Sequence, residues 1–168
     1  TGEGWHDPHG LDLSPDDTTV AVADHGKHCI HLVSMKGTFP PRTIGSYGSS
    51  DGQLNGPVDV AWTPCGRHLA VAEEKGRRVQ VLSAEDGTPV CKVSPGGPAC
   101  GVFVDFSGNV IILTASRCRV YSMPSGELLH NKLGGLVLEE GAIGGIGMDP
   151  RSGRICIADE RAHNLRVI

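Results

Sequence analysis

The chain has 168 residues, 15 Lys and Arg against 19 Asp and Glu, and a formal net charge of −4, with 24 glycines, 11 prolines and only 4% aromatic residues. Such a balance excludes a domain held to nucleic acid by bulk positive charge, and DNA is not expected as a partner. No apolar run is long enough to span a membrane, and 168 residues suffice for one sizeable core.

In chain order, short apolar runs alternate with Gly, Pro and Asp turns. The first repeat reads as strands near Gly10–Leu13, Val20–Ala23 and Ile30–Val33, with Ser14-Pro15-Asp16-Asp17 as a turn. An outer strand is expected around Arg42–Ile44, where the preceding Pro40-Pro41 is tolerable because the strand lies at a rim. A glycine-rich loop ending in Gln53-Leu54-Asn55-Gly56-Pro57 then leads into runs at Val58–Trp62, Leu69–Ala72 and Val79–Leu82. Runs of four or five residues rich in Val, Leu and Ala are too short for helices. Outer strands follow at Val90–Val93 and around Leu128-Leu129, and Ile111-Ile112-Leu113 is apolar on both faces, as in a sheet sandwiched between two others.

The pattern repeats. Ala23–Val33 aligns without a gap on Ala72–Leu82 and on Ala158–Ile168, and anchors at positions 10, 59, 101 and 145 give periods of 49, 42 and 44 residues. Four short strands per unit of about forty residues specify a β-propeller with one blade per unit. The expectation is an all-β chain of about four blades, the last incomplete, with repeats near 5–55, 56–97, 98–140 and 141–168 and no helix. The chain starts at Thr1 and ends inside a third strand. It therefore reads as a segment of a longer protein, whose terminal faces further blades or a partner subunit would cover.

The glycine-rich lead-in (Ile44-Gly45, Gly48, Gly52-Gln53-Leu54-Asn55, Pro57), the Ala-Asp or Ala-Glu pair closing the second strand and the cationic turn into the third together resemble the NHL-repeat propellers. Where that family usually has Asn, this chain has Lys27, Gly76 and Ala162, and the family's His stands only at His28 and His163. The resemblance implies a non-enzymatic scaffold that binds a protein partner through its faces or open blade edges. It also implies an alternative, single-stranded RNA bound on the face bearing the cationic turns.

The cations fall mainly in the turns between second and third strands: Lys27 with His28; Lys75, Arg77 and Arg78; Arg117 with Arg119; and Arg161. These residues form the candidate binding face, and turns can vary there without disturbing the blade. The opposite turns, such as Thr63-Pro64-Cys65-Gly66, carry mostly small residues with little to grip. Asp24, Glu73 and Asp159 each precede the third strand by six positions, whereas the third repeat has Ala115 and a shorter turn. An acid there is expected to accept hydrogen bonds from its own turn.

Pro8-His9-Gly10 resembles the element by which peptidyl-hydroxyglycine amidating lyases place zinc-binding histidines. The equivalent positions here are Val58, Cys100 and Gly144, so that set is not assembled. A metal-dependent lyase or hydrolase completed by further blades stays as a third alternative. His25, His28 and His31 lack a carboxylate or thiolate at matching spacing, so no metal and no cofactor are expected. No serine-hydrolase, P-loop or zincin motif occurs. Six scattered cysteines without a C-x-x-C pair are expected as reduced thiols, which favours an intracellular, cytoplasmic setting.

Overall fold

The structure, a computed structural model, describes residues 4–115, 117–131, 143–149, 154–159 and 163–167. Among these there are fifteen strands and no helix. The first sheet contains β1 (Pro8–Leu13), β2 (Thr19–Asp24), β3 (Cys29–Ser34) and β4 (Arg42–Ile44). The second contains β5 (Pro57–Trp62), β6 (His68–Glu73), β7 (Arg78–Ser83) and β8 (Pro89–Val93). The third contains β9 (Ala99–Val104), β10 (Val110–Thr114), β11 (Arg117–Tyr121) and β12 (Leu128–His130). The fourth has three strands, β13 (Ile143–Met148), β14 (Ile155–Asp159) and β15 (Asn164–Val167). Within each sheet every strand pairs antiparallel with its neighbour in sequence, the meander of a propeller blade.

Period-two alternation distributes the second blade between two cores. Leu69, Val71 and Leu82 face the first blade and pack with Ala21, Ala23, Ile30, Leu32 and Ile44. Ala70, Ala72, Val79 and Val81 face the third blade and pack with Ala99, Val102, Val110 and Ile112. Ile111, Ile112 and Leu113 are all buried, as their unbroken apolar run requires.

The innermost strands begin earlier than the apolar runs indicate. The cause is a one-residue bulge near the start of each, at His9-Gly10 in β1, Val58 in β5, Cys100 in β9 and Gly144 in β13. The bulge resets the alternation, so Val58 packs toward the third blade while Val60 packs toward the first. It also aims Asp59 between blades: its carboxylate accepts from Val102 N–H at 2.9 Å and from Val60 N–H at 3.0 Å. Asp12 reaches across in the same way to Trp62 N–H at 2.7 Å. Gly10 admits this approach, because a Cβ there would overlap Asp59 Oδ1 and lie 2.8 Å from its Cα.

Burial pushes the Asp59 carboxyl up to about 6, against the lowering effect of its bonds from Val102 and Val60, and the nearby Asp12 charge adds to the rise. A carboxyl raised in the folded state favours folding most below its ordinary value. That contribution fades as pH rises from about 4 to about 6. Relative to Asp59→Asn, the parent should therefore lose about 2–3 kcal/mol of unfolding free energy between pH 4 and pH 7, read from urea midpoints. Parallel pH profiles would show that Asp59 does not carry this linkage.

Candidate functional site

Two turns define the candidate face, His25–His28 between β2 and β3 and Glu74–Arg77 between β6 and β7. Register fixes both at four residues, since Asp24 pairs with Cys29 and Glu73 with Arg78. Each ends in a left-handed residue, His28 at φ 56° and Arg77 at φ 52°, and His163 repeats this at 51°.

A fully buried carboxylate anchors each turn. Asp24 accepts from the backbone N–H groups of Lys27 (2.9 Å), His6 (3.0 Å) and Asp7 (3.1 Å) and contacts His31 Nε2 at 3.1 Å. Burial alone would raise its pKa, but these bonds together hold it well below the usual carboxylate range. Glu73 accepts from Asn55 N–H (2.8 Å), Arg78 Nε (2.7 Å) and Gln80 Nε2 (2.8 Å). The expectation of an acid serving its own turn is thus corrected. Of the donors to Asp24 and Glu73 only Lys27 is in the turn, and both acids mainly fasten the lead-in loop to the hairpin; residues 160–162, which follow Asp159, lie outside the described residues. The lead-in backbone adds His25 N–H to Asp7 O and Glu74 N–H to Gly56 O, both 2.9 Å. In the third blade the register places Thr114, not Ala115, at the acid's position, because Thr114 pairs with Arg117 as Glu73 does with Arg78. Its turn is two residues shorter, so the long turn and the acid are again absent together.

The cations divide into two groups. Lys27, Lys75, Arg77 and Arg117 are exposed and, among the described residues, have no side-chain hydrogen bond or ion pair. Arg78 is instead a clamp: beyond Glu73 it donates to the carbonyls of Ser49 (2.7 Å), Gln53 (2.8 Å) and Ser50 (3.3 Å). Arg119 likewise donates to Pro95 O and to Asn131 Oδ1 (2.8 Å). Arg161 lies outside the described residues.

His28 is half-buried and its Nδ1 accepts from Gly56 N–H at 3.0 Å, bridging two blades. Burial, with the charges of Lys75 and His25, lowers its pKa against the pull of Asp24. Its ring lies 4.7 Å from that of Tyr47, which is 67% exposed. Sequence reasoning missed Tyr47, whose only signal was an aromatic residue inside a glycine-rich loop. It also missed the grouping of Asp7, His9 and His25, whose donor atoms lie within 4.8 Å of one another.

The opposite face is less bare than its small turn residues indicate. A cleft of about 310 Å³ lies between the first two blades, lined by Ser14, Asp16, Thr18, Trp62 and Cys65. The Thr63 hydroxyl and then Arg67 bring the exposed Cys65 thiol down to about 7. All six cysteines are free.

The clamps and the exposed cations should separate on substitution. Arg78→Ala leaves Glu73 buried and unpaired and should cost about 3–5 kcal/mol in chemical unfolding. Lys75→Ala with Arg77→Ala should stay within about 0.5 kcal/mol per site of the parent. Equal costs would refute this division.

No family model and no curated protein matches the chain. Its fold is similar to solved propeller-type structures. It covers 100% of its length and 52% of the neighbour's in Kuenenia stuttgartiensis hydrazine synthase, at 14% identity and TM-score 0.71. It matches a structure of U3-55K at 13% identity and TM-score 0.70, covering 98% of this chain and 52% of that one. It matches dihydro-heme d1 dehydrogenase NirN in complex with DHE at 14% identity and TM-score 0.66, covering 97% of this chain and 35% of that one. The chain therefore spans about half or less of these neighbours, and at such identities the likeness is one of fold: this is a β-propeller arc.

Proposed function

We propose that this chain is a non-catalytic interaction scaffold, an NHL-type propeller segment that docks an acidic protein partner through its cationic turn face. The observation carrying the proposal is the division of the cations. Arg78 and Arg119 are consumed by the fold, whereas Lys27, Lys75 and Arg77 stand on anchored turns with their charges uncommitted among the described residues. Turns held by buried carboxylates present such charges with little ordering cost on binding. His28 and Tyr47 supply an aromatic surface beside them.

The face is mixed in sign. Asp7 and Glu74 both lie against His25 in the turn that carries Lys27, Glu74 directly precedes Lys75 in the chain, and Asp51 is paired with Lys92 at 2.5 Å. A protein surface can place its own cations against those acids, whereas the evenly spaced phosphates of RNA cannot avoid them. Tyr47 favours the RNA reading, since an exposed ring can stack on a base. Open blade surface is a second place for contact: Leu11 is 64% exposed and Leu13 39%, both on β1.

The test is selection of peptides from a random displayed library, followed by anisotropy titrations of the selected peptides and of oligouridine. Acidic peptides should bind the parent and lose about tenfold or more with Lys27, Lys75 and Arg77 all changed to Ala, a loss of about 1.4 kcal/mol. Log affinity should fall with log salt, because the contact is ionic, but less steeply than for a polyanion that releases condensed counterions. Tight oligouridine binding with a steep linear salt slope would give the face to RNA. Peptide binding unaffected by the triple change would refute the assignment of this face.

A further inference from the structure

We propose that Asp7, His9 and His25 form a binding site for one divalent first-row transition-metal ion at the rim of the first blade. Each ligand comes from a different local feature. Asp7 ends the lead-in, His9 sits in the β1 bulge, and His25 opens the turn between β2 and β3. His9 Nε2 lies 3.4 Å from Asp7 Oδ1, and His25 Nδ1 lies 3.1 Å from Asp7 Oδ2. A tetrahedral ion with bonds of about 2.0–2.1 Å needs donors about 3.3 Å apart, and each Asp7 oxygen already has one imidazole nitrogen near that length. The three donor atoms lie within 4.8 Å of one another. The longest edge therefore needs to close by at most about 1.5 Å, which rotation of the exposed His9 ring supplies.

The backbone holds these ligands independently of any ion. Asp7 N–H is bonded to the buried Asp24, and Asp7 O accepts from His25 N–H at 2.9 Å. The far nitrogen of His25, Nε2, is buried with no hydrogen-bond partner and lies 3.5 Å from Glu74 Oε2. With Nδ1 on a metal, Nε2 carries the proton and Glu74 is the carboxylate behind it, the arrangement that orients histidine ligands. Asp7 and Glu74 together offset Lys75, which lies near the same turn. Asp7 and His9 are about half exposed, which gives an ion a way in and leaves a coordination position for water or for a donor from a bound partner.

The repeat shows that these groups are not needed by the blade. Positions equivalent to Asp7, His9 and His25 in the second blade are Gly56, Val58 and Glu74, and that blade forms the same bulge and the same four-residue turn. Two imidazoles and one carboxylate suit zinc and its neighbours better than calcium or magnesium, which prefer oxygen donors.

Zinc chloride alone is the probe, added to untagged protein and followed by calorimetry, elemental analysis after dialysis, and thermal unfolding. The parent should retain one zinc per chain and gain thermal stability with added zinc, while calcium and magnesium do neither. Losing a group that orients a metal ligand costs about 10–100-fold in affinity, so losing a ligand itself in His9→Ala or Asp7→Asn should cost at least about 100-fold. Circular dichroism should show both variants folded, because both side chains are exposed; His25→Gln is a further variant whose failure to fold leaves those two to decide. Zinc absent from the parent, or retained equally by folded His9→Ala and Asp7→Asn, overturns the site and assigns any bound zinc to other groups such as the cysteines.

Discussion

The buried carboxylate at the end of each long second strand is the constraint on which this architecture turns. An ionised group with 0% exposure is tolerable only when bonds replace the water it gives up, and Asp24 and Glu73 meet that demand differently. Asp24 uses three backbone N–H groups and one imidazole, while Glu73 uses one N–H, one guanidinium and one amide. In both cases the donors come from the loop arriving at the blade as well as from its own hairpin. The acid thus joins the incoming chain to the blade it is about to build.

Much of the rest follows from this junction. With the lead-in fastened, the innermost strand enters at a fixed height, bulges by one residue and turns Asp59 toward the next blade. With the hairpin fastened, its four-residue turn ends in a left-handed residue, whose side chain bridges to the next lead-in at His28 and is exposed at Arg77. Where the acid gives way to Thr114, the turn shrinks and the strand-three residue at the matching register, Arg119, bonds the lead-in carbonyl of Pro95 directly. His31, Gln80 and Arg119 are three chemical solutions at one structural position.

The blades were legible in the sequence because their signal is redundant. Apolar runs, turn glycines and a registered period all report the same strands, so an error at one residue is corrected by its counterparts. The bulges were not legible, since a bulge is a relation between two strands and leaves only a displaced strand start. Arg78 is the instructive case at the site. In Lys75-Gly76-Arg77-Arg78 nothing local separates a solvated cation from a clamp. The difference is that Arg78 opens β7 and pairs with Glu73, whereas Arg77 is the left-handed residue pointing away. Asp7, His9 and His25 escaped for a related reason: they are brought together by strand pairing and a bulge, with no spacing that a motif would register.

Amide hydrogen exchange, compared between the parent and Glu73→Ala, tests the junction most directly. If the carboxylate fastens loop to hairpin, the Asn55 and Gly76 amides should exchange about tenfold or more faster in the variant, with Val71 and Ala72 protected to the level its global stability allows. Unchanged protection at Asn55, or a uniform loss across β6 and the loop alike, would contradict the account.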